Sequence, residues 1–147
     1  VDYPTQTEER EILKRMATTT QDNNVECVMQ PDAIANARAL IDQIYVDDQI
    51  ANYIVELVQI TRTPEKVSEE LKEFVENGAS PRATLALTLC AKANAFLDGR
   101  GYVTPQDVKD LAHDVLRHRI ATTYEAEAEG KTSDDVVAAI LDFVPVP

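Results

Sequence analysis

Two apolar segments of this chain open with a hydroxyl residue followed at once by proline: Ser80-Pro81 and Thr104-Pro105. That order is a start signal for an α-helix. The Ser or Thr side chain accepts a hydrogen bond from an amide of the first turn. Proline suits the first helical position because it has no N–H to satisfy there. The segment after Ser80 runs to Leu97 with charge only at Arg82 and Lys92, and Gly99 and Gly101 follow it. This predicts a central helix, buried on most sides. The segment after Thr104 places Val108, Leu111, Ala112, Val115 and Leu116 on one stripe, and Asp107 completes a capping-box variant.

The same grammar recurs elsewhere. Thr5 followed by Glu8 predicts a helix to about Thr18, with Ile12, Leu13 and Met16 on its apolar face. Residues 19–24 are polar and read as a loop. Residues 25–29 alternate weakly and read as a short extended segment. A helix restarts near Pro31, with Ala33, Ala37, Leu40, Ile41 and Ile44 at helical spacing. Asp47 caps a further helix whose stripe is Ile50, Tyr53, Ile54, Leu57, Val58 and Thr61. Residues 64–78 are charged and read as a short helix or an irregular excursion. Residues 121–130 read the same way, and Thr132 or Ser133 caps a last helix before Pro145. With only 4 Gly, no Trp and eight aromatic residues in 147, the expectation is an all-α fold. It is a compact bundle of about six or seven short helices.

Gly130-Lys131-Thr132 matches the closing half of a phosphate-binding loop. That loop also needs a Gly five residues before its Gly-Lys pair, so that the backbone can curl its amides around phosphate. Position 125 is Glu, and the preceding residues are acidic. The tripeptide reads instead as a helix stop followed by a cap.

The remaining chemistry is sparse. A net charge of −12 does not attract a phosphate backbone, and the strongest candidate for a local basic patch, Arg117-His118-Arg119, is small. No nucleic-acid partner is expected. His113 and His118 are five apart on a helix, which is not a metal-ligand spacing. Cys27 and Cys90 have no neighbouring Cys, and Cys90 reads as a small buried hydrophobe. No metal site is expected. The cysteines suit a reducing cytoplasm, and no secretory leader or membrane span is expected. Carboxylates fall at caps and on charged faces. Arg82 stands apart. It lies in the first turn of a helix, where amide donors already favour anions and a guanidinium offers a planar fork to phosphate. By position alone it also reads as a plain exposed arginine.

The string "NGASPRATLALTLCAKANAFLDGRGYVTPQDVKDLAHDVLRHRI", residues 77–120, resembles the C-terminal lid of MoxR-family AAA+ ATPases. Its most specific parts are "GASPRA" and "DGRGYVTPQDV". The opening "VDYPTQTEEREILKRM" resembles the segment joining the family's ATPase core to its lid, and "DDVVAAILDFVPVP" resembles the family's C-terminus. Residues 62–77 are the least family-like. The resemblance implies a hinge remnant at 1–5 and a single helical lid domain at 6–147. A start at Val rather than Met fits a chain cut from something longer.

The family binds ATP and Mg through Walker motifs in an N-terminal core, and neither motif occurs in this sequence. The resemblance therefore implies that ATP and Mg belong to the full-length parent. The fragment alone is expected to hold no cofactor and to be inactive. By motif, the family's "sensor 2" arginine maps to Arg82, which would reach the γ-phosphate of ATP. The implied partners are the protein's own ATPase core, neighbouring subunits of a hexameric ring and a von Willebrand factor A domain protein. The implied task is chaperone-like remodelling. Arg117 and Arg119 either face a neighbouring subunit or pair with acidic residues of this chain. The alternative reading is a free-standing helical interaction module that shares only the helix-start grammar.

Overall fold

A computed structural model describes residues 3–19 and 25–147. The chain divides into two units, Val1–Ala33 and Ile34–Pro147.

In the first unit, α1 spans Gln6–Met16. Its start is the predicted capping box. The Glu8 carboxylate accepts from the Thr5 amide at 2.7 Å, and the Thr5 hydroxyl accepts from the Glu8 amide at 3.4 Å. Arg15 bonds Glu11 one turn back at 3.0 Å. No residue of α1 is buried, and Ile12, Leu13 and Met16 are all exposed. The predicted loop at 19–24 lies mostly outside the described residues. The extended segment expected at 25–29 forms no strand. Val25 and Val28 are both exposed, so the alternation has no apolar face to bury. Helix α2 spans Pro31–Asp42, with the predicted Pro31 start, and from Ile34 onward it belongs to the second unit. None of its residues is fully buried, and Ile44 reaches the core only after the helix has ended.

The second unit holds the core. Helix α3 (Asp48–Ile60) begins at Asp47, whose carboxylate accepts from the Gln49 amide at 2.9 Å. The whole predicted stripe from Ile50 to Thr61 is buried. After a 3-10 turn at Pro64–Lys66 come α4 (Glu69–Phe74) and β1 (Val75–Asn77). Helices α5 (Pro81–Leu97) and α6 (Pro105–Leu116) follow. A 3-10 turn at Arg117–Arg119 leads to β2 (Ala121–Thr122), α7 (Tyr124–Ala128) and α8 (Ser133–Phe143). The described residues thus contain eight helices, because both segments read as short or irregular contain a helix. They also contain an unanticipated antiparallel pair, with Val75 opposite Thr122 and Asn77 opposite Ala121. These strands are too short for a period-2 pattern to stand out.

Helix α5 packs on α3 and α6, and α6 also packs on α8. The α5 face that does this is Ala83, Leu87, Ala91 and Ala95, all fully buried and spaced four apart. Three alanines on that face let the neighbouring helices approach closely. The expectation that α5 is buried on most sides is wrong. Leu85, Leu89 and Leu97 are 66%, 55% and 80% exposed, and Cys90 is exposed as well. Absence of charge does not itself supply a neighbour, and α5 buries one stripe only.

Candidate functional site

The start of α5 is built by the end of α3. Thr61 is fully buried, and its hydroxyl donates to the Val58 carbonyl at 2.7 Å. The same oxygen accepts from the Ala79 amide at 2.9 Å. The next residue, Arg62, donates through Nε to the Ala79 carbonyl at 2.6 Å. Both backbone groups of Ala79 are therefore held by two consecutive residues of another element. Gly78 lies so close beneath that a Cβ on it would stand 2.3 Å from the Thr61 carbonyl oxygen. Only glycine fits there.

Ser80 takes the extended cap conformation, at φ −74° and ψ 167°, and Pro81 takes the first helical position as predicted. The predicted cap bond from Ser80 is not made, and the first turn contains no acidic residue. In that turn Arg82 is exposed and makes no hydrogen bond or ion pair with any described residue. Helix amides and an uncommitted guanidinium thus meet at one helix start, with no carboxylate of the first turn to neutralise them.

The far end of α5 is fixed by a second constellation. Asp107 is 2% exposed yet accepts five hydrogen bonds. Arg100 supplies two, at 2.8 and 2.5 Å, and Asn94 supplies one at 2.8 Å. The Thr104 amide and hydroxyl supply the others at 2.7 and 2.8 Å. Arg100 above all, then the Thr104 amide and Asn94, hold the Asp107 carboxyl well below the usual carboxylate range. The pair likewise pushes Arg100 above its ordinary value. Sequence reasoning found the Thr104–Asp107 cap but not the ion pair, because the cap pattern already accounted for Asp107.

The other sequence candidates resolve locally. Gly130 has φ +70°, its amide donates to the Glu127 carbonyl, and the Lys131 amide donates to Ala126 at 2.8 Å. This is a Schellman helix end. Thr132 then caps α8 in a capping box with Asp135. The Gly130 and Lys131 amides are spent on a helix stop, and the tripeptide forms no phosphate loop. His113 Nδ1 lies 2.7 Å from Asp134, which also pairs with Arg117 at 3.2 Å, so α6 is tied to α8. Arg117 also pairs with Asp114 at 3.1 Å. Arg119 bonds the Val115 carbonyl and lies 2.5 Å from His118. Among the described residues, no group of three or more His, Cys, Asp or Glu is placed to hold a metal ion. No described helix is long and apolar enough to cross a membrane.

The AAA lid domain family matches residues 68–140. The chaperone MoxR1 of Mycobacterium tuberculosis is 35% identical over 148 residues, covering 100% of this chain and 39% of that protein. The uncharacterized protein YeaC of Bacillus subtilis is 33% identical over 145 residues, covering 99% of this chain and 43% of that protein. A crystal structure of a candidate ATPase from Cytophaga hutchinsonii superposes with a TM-score of 0.88 at 33% identity, covering all of this chain and 45% of that one. The chain spans about two fifths of the length of these curated relatives. The matched lid residues run from the cap of α4 into α8, and include the α5 start and the Arg100–Asp107 pair. With the likeness of fold and of sequence along the whole length, this chain belongs to the MoxR family of AAA+ ATPases, as its C-terminal lid.

Proposed function

We propose that this lid closes over ATP bound by an ATPase core, and that Arg82 reads the γ-phosphate and couples hydrolysis to lid movement. The observation that carries the reading is Arg82 itself. In a chain of 26 acidic residues it keeps its guanidinium uncommitted, beside helix amides that no side chain caps. Such a start fits a phosphate oxygen. The bound nucleotide and Mg would supply the phosphoryl chemistry, held by the core. Arg82 would add positive charge where it accumulates on the transferred group. Leu85 and Leu89 share the Arg82 face and are exposed, as a surface covered by the core would be in the isolated lid.

In the same proposal, residues 1–5 form the hinge to the core and the remainder forms the lid. The whole protein works in the cytoplasm as a hexameric ring. It performs chaperone-like remodelling with a von Willebrand factor A domain partner. The chain alone is inactive.

The test compares ATP hydrolysis by the protein carrying both core and lid, wild type against Arg82→Ala, with folding checked by circular dichroism. The expected result is a loss of about a hundredfold or more, the usual cost of removing a transition-state charge donor. An unchanged rate with an intact fold returns Arg82 to a plain surface role.

A further inference from the structure

We propose that Thr61 and Arg62 are positioning residues for Arg82, so that the end of α3, and not a cap of α5's own, sets where Arg82 stands. The inference rests on the reading that Arg82 meets ATP.

A helix start is normally fixed by its N-cap side chain. Ser80 makes no such bond. The nearest anchoring lies one residue earlier. Thr61 Oγ1 takes the Ala79 amide at 2.9 Å, and Arg62 Nε gives to the Ala79 carbonyl at 2.6 Å. Thr61 is itself fixed, because its hydroxyl donates to Val58 inside α3. The contact spans 17 and 18 residues of sequence, so it is tertiary and not a turn. Gly78 closes the joint with no space for a Cβ against the Thr61 carbonyl. Ala79 is fully buried, and Arg82 follows three residues later on the first turn. A shift at Ala79 is carried by the rigid first turn to the Arg82 Cα. Arg62 is exposed and touches no described carboxylate. Its side-chain bond is the one to Ala79, which suits a latch more than a surface ion pair.

The test uses the ATPase carrying both core and lid. It measures kcat and thermal midpoint for Arg82→Ala, Thr61→Val, Thr61→Ser, Arg62→Ala, and each of Thr61→Val and Arg62→Ala combined with Arg82→Ala. Thr61→Val and Arg62→Ala are each expected to lower kcat about tenfold or more while the protein stays folded, because small misplacements of a charge donor are costly. Thr61→Ser keeps the hydroxyl and should stay near the wild-type rate. Combined with Arg82→Ala, neither substitution should reduce the rate further, since a residue acting only through Arg82 has nothing left to position.

If Arg82→Ala hydrolyses ATP at the wild-type rate, the ATP reading itself fails and the positioning role falls with it. If Arg82→Ala is slow but folded Thr61→Val and Arg62→Ala are as fast as wild type, positioning is overturned while the Arg82 reading stands. Losses that multiply with that of Arg82→Ala also overturn it. Should Thr61→Val not fold, Arg62→Ala decides by the same comparison, because its side chain is exposed and its removal leaves the core intact.

Discussion

Arg100 and Asp107 face each other through two hydrogen bonds, Nη1 to Oδ2 at 2.8 Å and Nη2 to Oδ1 at 2.5 Å, across the turn between α5 and α6. The arginine side chain is 25% exposed and the carboxylate 2%. Cutting one partner from such a pair strands the other. Arg100→Ala leaves a buried carboxylate with only neutral donors and should lower the urea unfolding midpoint clearly. Asp107→Asn should also destabilise, because one acceptor oxygen becomes an amide donor facing the donors of Arg100, Thr104 or Asn94.

The same pair makes stability depend on acid. Asp107 binds its proton at lower pH in the folded chain than in the unfolded one. The unfolded state therefore takes up the proton first as pH falls. The contribution is fully present above about pH 4, the ordinary aspartate range, and is lost progressively below it. Urea midpoints measured between pH 5 and pH 2 should fall for wild type. Asp107→Asn should show a shallower fall. Equal slopes would mean that other carboxylates set the acid response.

Gly78 and Gly101 predict opposite outcomes for the same substitution. A methyl at Gly78 meets the Thr61 backbone at 2.3 Å, so Gly78→Ala must move α3 or the α5 start. The expected cost is about 2 kcal/mol or more. At Gly101 a Cβ meets nothing within 4 Å and φ is not positive. Gly101→Ala should be neutral, or stabilise by about 0.5 kcal/mol through the unfolded chain. Thermal midpoints of the two variants check this directly.

Helix starts were the most legible part of the fold, because a cap is a local contract between residues three apart. The boxes read at Thr5–Glu8 and Thr104–Asp107 both form, and Thr132, one of the two caps offered for the last helix, makes a third with Asp135. The α3 stripe was equally readable, since its period matched its burial to the last residue, Thr61. The latch on Ala79 was not legible. Nothing near Arg62 distinguishes it from any surface arginine, and its acceptor is a backbone carbonyl that carries no sequence signal. The β1–β2 pair was hidden for a related reason: two or three residues are too few to show alternation. Of the candidate site, the sequence marked Arg82 but not the joint that holds it.

The misreading of α5 yields its own test. Leu87 is fully buried and Leu89 is 55% exposed, two residues apart on one charge-poor helix. Leu87→Ala should cost between about 2 and 5 kcal/mol, from lost burial and the cavity left behind. Leu89→Ala should change the stability of the isolated chain by less than about 0.5 kcal/mol. Urea unfolding of both variants separates the cases. Comparable losses would place a neighbour over Leu89 and restore the view of α5 as buried on most sides.

The Gly130-Lys131-Thr132 turn closes the question of a phosphate loop in this chain. Its backbone is committed to ending α7 and starting α8. Gly130 sits at φ +70°, a conformation that a side chain resists, so Gly130→Ala should destabilise the chain by about 1 kcal/mol. Thr132→Ala removes the cap hydroxyl, which accepts from the Asp135 amide at 3.3 Å, and should cost about 1 kcal/mol as well. Lys131→Ala touches neither device. If the tripeptide were a nucleotide site, Lys131→Ala would be the damaging change, because a phosphate loop depends on its lysine. The expected order is the reverse: Lys131→Ala leaves both the thermal midpoint and ATP hydrolysis by the core-bearing protein unchanged. A selective loss of ATP binding in Lys131→Ala, with Gly130→Ala and Thr132→Ala unaffected, would overturn the helix-stop reading.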